Sequence, residues 1–209
     1  MDYTKQLECL SSCRNRLGVL TLTVCTLLTV ASPSVMAETL RPGQIPDLPV
    51  LDQDGNPHRF FTDLIKGKIV AINFVYTTCA AQCPRQAQRF GQLQTPLASI
   101  LGKNIFLLTI TTDPANDTPA KLKAWAAQYG AKPGWTFVTG DPLNVKKILN
   151  AFIALPPATD SQHTPVVVMI NEPLSQMKYE FSLSPPAFLY SLLTTWNTGA
   201  ISSTAAKKN

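Results

Sequence analysis

Cys79 and Cys83 stand four residues apart in Val75-Tyr76-Thr77-Thr78-Cys79-Ala80-Ala81-Gln82-Cys83-Pro84, where an apolar run gives way to a helical pattern. Thiols this close can exchange a disulfide, grip a soft metal ion, or do both. The spacing predicts Cys79 just outside a helix and Cys83 in its opening turn. There, free backbone N–H groups and the positive end of the helix dipole favour thiolate at Cys79. A structural disulfide is the plain alternative, but closing so short a loop removes little chain entropy.

Three further positions could join this chemistry. His163 sits in a proline-rich loop directly before the apolar run Val166-Val167-Val168-Met169-Ile170; a lone histidine is more often a hydrogen-bonded or surface residue than a ligand, yet this loop is expected near another strand end. Thr164-Pro165 heads the same strand and is read either as a cis-proline loop facing the thiols or as an ordinary trans proline opening a strand. Asp113, after the second apolar run, either tunes the thiols and handles a proton or belongs to turn chemistry, with Asp117 or Thr118 capping the next helix. His58, on an expected hairpin strand, reads as surface.

These residues need a scaffold, and the chain supplies alternating strands and helices. A proline-rich arm over 38–50 leads into a hairpin turn at Leu51-Asp52-Gln53-Asp54-Gly55-Asn56, with His58 to Phe61 as the returning strand. Lys68 to Tyr76 and Asn104 to Thr112 are near-continuous apolar runs, the pattern of strands buried on both faces. Helices are expected over Arg85 to Ile100 with Pro96 disturbing the last turn, from Thr118-Pro119 to Tyr129 with Gly130 as the stop, over Pro142 to Ala154, and over Pro185 to Thr195. Trp135 to Thr139, Pro165 to Asn171 and Met177 to Phe181 complete the strands. The alternation predicts an α/β fold, a central mixed sheet flanked by helices with an N-terminal hairpin extension, and a site at the carboxyl ends of the central parallel strands.

The 209 residues, 45% of them hydrophobic, suit one globular domain over 38–209 behind a leader over 1–37. Lys5, Arg14 and Arg16 precede an uncharged apolar stretch ending at Val35-Met36-Ala37, the pattern of a cleaved signal peptide; an uncleaved membrane anchor is the alternative, weakened by Ser32, Pro33 and Ser34. Either way the domain is expected outside the cytoplasm, periplasmic or anchored to the inner membrane facing the periplasm. Cys9, Cys13 and Cys25 fall in the leader, which leaves Cys79 and Cys83 as the mature pair. The net charge of +5 is spread along the chain without a basic stripe, which argues against nucleic acid as a partner.

With these segments in place, the chain resembles the Sco/SenC family, thioredoxin-fold proteins that bind copper and help assemble the binuclear copper centre of respiratory cytochrome oxidase. The resemblance is carried by Asn73-Phe74-Val75-Tyr76-Thr77-Thr78-Cys79 with Cys83-Pro84, by Asp113-Pro114 with Asp117-Thr118-Pro119, by Gly134-Trp135-Thr136-Phe137 with Thr139-Gly140, and by His163 before a hydrophobic strand. It implies Cys79, Cys83 and His163 as copper ligands and a copper-receiving oxidase subunit or other copper protein as partner. Two thiolates and an imidazole independently suit Cu(I), and with one more donor Cu(II); zinc is disfavoured because no fourth protein ligand is evident. Ala80, Gln162 and the segment after Asn171 depart from the family pattern, which bears more on the client than on the metal. The competing reading is a thiol:disulfide oxidoreductase with Cys79 and Cys83 as its redox pair and an exported thiol protein as partner. Cys-x-x-x-Cys spacing and His163 favour copper delivery over it, while Thr164-Pro165 favours the oxidoreductase. A peroxide-reducing enzyme fits least, because the proline and arginine context of such sites is missing.

Overall fold

The computed structural model describes residues 44–152 and 166–206, and their side chains as far as Asn197. Its elements are β1 (Pro49–Asp52), β2 (Pro57–Arg59), α1 (Phe60–Leu64), β3 (Ile69–Val75), α2 (Gln82–Leu97), β4 (Ile105–Thr111), α3 (Pro119–Gln128), β5 (Trp135–Thr139), α4 (Pro142–Phe152), β6 (Val166–Asn171), β7 (Gln176–Phe181) and α5 (Pro186–Ala206). Among the described residues the strands form one sheet in the order β2-β1-β5-β4-β3-β6-β7. The middle is parallel, β3 beside β4 and β4 beside β5, while β6 runs antiparallel to β3 and β1 antiparallel to β5. This is a thioredoxin-like α/β arrangement with the β1–β2 hairpin as an N-terminal extension.

All seven residues of β3, Ile-Val-Ala-Ile-Asn-Phe-Val, are buried, because helices cover both faces of the strand. Ile69, Ala71 and Val75 join a core with Phe90, Leu93 and Leu97 of α2, Leu122 and Trp125 of α3, and Leu189 and Leu193 of α5. Val70, Ile72 and Phe74 face the other way, onto Phe60, Val145, Ile148 and Phe152. Alternation along one strand therefore holds two helical layers to one sheet.

Some boundaries differ from expectation. Phe60 and Phe61 do not extend the hairpin strand; they open α1, whose backbone N–H groups at Phe61 and Thr62 donate to Asp47. Helix α2 starts at Gln82 and keeps Pro96 in its last turn, and the last helix runs well past Thr195 to Ala206. His58 is not a free surface residue: its Nε2 lies 3.0 Å from Asp52 Oδ2. Burial alone would push the Asp52 carboxyl up, but hydrogen bonds from His58, Asn56 and Asp54 bring it below its usual value.

Candidate metal and thiol centre

The parallel strands β3 and β4 end side by side, with Val75 registered on Thr111. Beyond β3 the chain turns, Cys79 N–H donating to Tyr76 O at 3.1 Å, and then enters α2. This turn presents Cys79 partly exposed and swings Cys83, 0% exposed, into the core beneath α2. Both thiols are free, and the Cys83 backbone N–H donates to Cys79 Sγ at 3.2 Å.

The two thiols are electrostatically unlike. Burial pushes Cys79 up, but that effect is outweighed by hydrogen bonds from the Cys83 thiol, the Cys83 and Ala81 backbone N–H groups and the Tyr76 hydroxyl, and the net shift is downward. Cys83 is pushed up to about 12, first by burial and then by donating its proton to Cys79. Tyr76 is raised because its hydroxyl donates to Cys79. The arrangement fits one ready thiolate and one protonated reserve thiol. With iodoacetamide near pH 7, Cys79 is therefore expected to react at least about 100-fold faster than Cys83. Peptide mapping of the labelled protein checks this, and equal labelling of both would contradict the assignment.

As ligands, the two sulfurs are soft donors already in hydrogen-bond contact, and a soft ion replacing the shared proton fits between them better than a hard one. Among the described residues no third histidine, cysteine or acid gathers around them. His163, Thr164 and Pro165 lie outside the described residues. The strand they precede, β6, begins at the end of the sheet where β3 finishes, since Asn73 registers on Val167.

Asp113 is held in a turn. Its N–H donates to Thr111 Oγ1, its carboxylate accepts from Asn116 Nδ2, and its carbonyl accepts from the N–H groups of Asn116 and Asp117. Thr118 caps α3 through Lys121 N–H. The carboxylate that reaches the thiol loop is Asp117, 1% exposed, which accepts from Thr77 N–H at 3.1 Å and Thr77 Oγ1 at 2.5 Å. Sequence reasoning assigns Asp117 a helix cap and, like Tyr76 and Thr77, a place in the family motif, but no part in the thiol centre. Those motif positions and a second aspartate beside the cap are the available signals, and nothing local says that Asp117 points back across the sheet.

Comparison with known proteins agrees with this architecture. The SCO1/SenC family model matches residues 47–179, well over half of the chain. A Stutzerimonas stutzeri protein named "Putative copper-binding protein" is 32% identical over 120 residues, 56% of either chain. The chain spans about half the length of the relatives it matches. Among solved structures, BsSco, described as a member of the Sco family of cytochrome c oxidase assembly proteins and as carrying a disulfide switch, matches with TM-score 0.61 and 21% identity over 74% of this chain and 93% of that one. Copper-bound ScoI of Bradyrhizobium japonicum matches with TM-score 0.59 and 20% identity over 71% and 96%. At those identities the structures speak for the fold, and the family model speaks for descent. With its thiol pair at the mouth of a thioredoxin-like sheet and that model spanning hairpin to β7, the chain belongs to the SCO1/SenC family.

Proposed function

We propose that this protein is an exported copper carrier in which Cys79, Cys83 and His163 hold the ion and pass it to the binuclear copper subunit of a respiratory cytochrome oxidase. The observation that carries the reading is the reduced, hydrogen-bonded thiol pair at the open end of the sheet. Copper here is cargo. Cys79 offers a thiolate, Cys83 gives up its proton as the ion enters, and an imidazole from the loop before β6 completes a soft, low-coordinate set. The start of β6 at the thiol end of the sheet supports His163 in that role. The copper-binding name of the Stutzerimonas stutzeri relative supports the metal, and the oxidase-assembly description of BsSco supports the client. The basic, then apolar, then small-residue leader supports export, and among the described residues no helix is long and apolar enough to cross a membrane.

One observation favours a second reading. A low thiol beside a high one is also the pattern of an attacking and a resolving cysteine, as a thiol:disulfide oxidoreductase would use. Anaerobic Cu(I) titration against a competing chelator, run beside a disulfide-reductase assay, separates the two. Copper carriage is expected to give one tightly held ion per chain, weakened about 10- to 100-fold in His163→Ala. Rapid disulfide turnover untouched by His163→Ala, with only loose copper binding, would decide for the oxidoreductase.

A further inference from the structure

We infer that Asp117 is the positioning residue of the thiol centre, holding Cys79 in register with Cys83 through Thr77; the role builds on the reading of that pair as the copper-carrying site. Asp117 comes from the segment before α3, 40 residues on from Thr77, and its side chain is buried where the three parallel strands end. One carboxylate oxygen accepts from Thr77 Oγ1 at 2.5 Å, and the other accepts from Thr77 N–H at 3.1 Å and from Thr111 Oγ1 at 2.5 Å. Its carbonyl accepts from Thr139 Oγ1 at 2.7 Å. One residue thus ties the chain leaving β3 to the last residues of β4 and β5.

The consequence for the thiols follows from the short path between Thr77 and Cys79. Thr77 lies inside the turn closed by the Cys79 N–H to Tyr76 O bond, so pinning Thr77 at both its N–H and its hydroxyl fixes where that turn presents Cys79 Sγ. From that position Sγ accepts the Cys83 N–H. A carboxylate suits this place because both of its oxygens accept. In Asp117→Asn an NH2 group replaces one accepting oxygen, so the orientation that keeps the Thr77 N–H bonded makes the Thr77 hydroxyl turn and accept, which loosens the tie. Three donors and, among the described residues, no lysine or arginine converge on this carboxylate, and the opening of α3 beside it contributes a favourable dipole.

The test uses the whole protein with two thiol readouts, the Cys79–Cys83 reduction potential and the rate of Cys79 alkylation across pH, together with Cu(I) affinity and melting temperature. Thr77→Val keeps the backbone N–H but loses the hydroxyl, so it stands in for Asp117→Asn should the latter fold poorly. Both variants are expected to slow Cys79 alkylation near pH 7 about three- to tenfold and to weaken Cu(I) about 10- to 100-fold, as loss of a partner outside the ligand shell does. Thr77→Ser should restore wild-type values. Thr139→Val, which loses a bond to the Asp117 main chain only, should lower the melting temperature and leave the thiol readouts unchanged. Wild-type potential and alkylation profile in Thr77→Val and Asp117→Asn would overturn the role, as would an equal shift in Thr139→Val. Failure of the wild type to bind copper would instead sink the copper reading, and the alkylation and potential arms would still judge Asp117.

Discussion

Cys83→Ser is expected to weaken Cu(I) binding by about three orders of magnitude or more, equivalent to about 4 kcal/mol, and Cys79→Ser by a similar factor. A serine hydroxyl is a hard donor that does not ionise near neutral pH, so on the proposed ligand set each change removes one of two soft donors rather than adjusting it. The two variants should nevertheless differ. Without Cys83, the remaining Cys79 loses the thiol that donates to it, so its own proton is held more tightly. Without Cys79, the remaining thiol is the buried one, pushed up to about 12 in the native protein first by burial and then by donating to Cys79; losing that contact brings it part of the way down, and burial still holds it high. If Cys83 is a ligand, copper displaces its proton in the wild type. Affinity should therefore rise with pH, by about tenfold per unit for each proton released, and fall as the solution is acidified. Competition titrations at several pH values check both the loss and the slope; an affinity flat with pH, or a Cys83→Ser protein that binds as tightly as wild type, would remove Cys83 from the ligand set.

What the sequence disclosed follows a physical line between local and non-local information. The buried strands were legible because β-branched and apolar residues in runs such as Ile69–Val75 and Ile105–Thr111 have few other fates than a sheet covered on both sides. The placement of Cys79 outside α2 and Cys83 inside it was legible from the i, i+4 spacing and Pro84. Phe60 and Phe61 misled because β-propensity argued for a strand, whereas the Asp47 carboxylate, more than ten residues earlier, caps a helix there. The long run of α5 past Thr195 was hidden because that stretch carries no charged periodicity and a glycine at position 199. The inequality of the thiols has two sources. The helix opening is local and was anticipated; the burial of Cys83 and the hydroxyl of Tyr76 depend on packing that no spacing rule encodes. The reach of Asp117 to Thr77 belongs to the same class, a contact across the sheet end between segments 40 residues apart.

The other large effect is structural and comes from one glycine in the Gly134-Trp135-Thr136-Phe137 motif. Gly134 adopts φ +97°, and a Cβ there would lie 2.6 Å from Gly102 N, 2.8 Å from Leu101 Cγ and 2.9 Å from Gly102 Cα. Two of those three neighbours are backbone, so a rotamer change cannot relieve them. The position also matters to β5, since Gly134 O accepts from Leu107 N–H at 2.8 Å and sets the register that lets Trp135 Nε1 donate to the buried Thr109 hydroxyl. Gly134→Ala combines a left-handed penalty of about 1–2 kcal/mol with overpacking of about 1–3 kcal/mol. Against a total stability of about 5–15 kcal/mol, a loss of about 2–5 kcal/mol should lower the melting temperature by about 4–20 °C. Gly67→Ala separates the two contributions, because Gly67 also has a positive φ, +73°, but nothing stands within 4 Å of the added Cβ. It should cost only the backbone penalty, about 1–2 kcal/mol. Urea melts of both variants, read by tryptophan fluorescence, measure the difference, and equal losses would mean that the approach of the Gly102 backbone is not what demands glycine at 134. Below its melting temperature, Gly134→Ala should still carry copper at wild-type affinity per folded molecule, because the strain lies at the start of β5 and the thiols lie at the opposite end of the parallel strands.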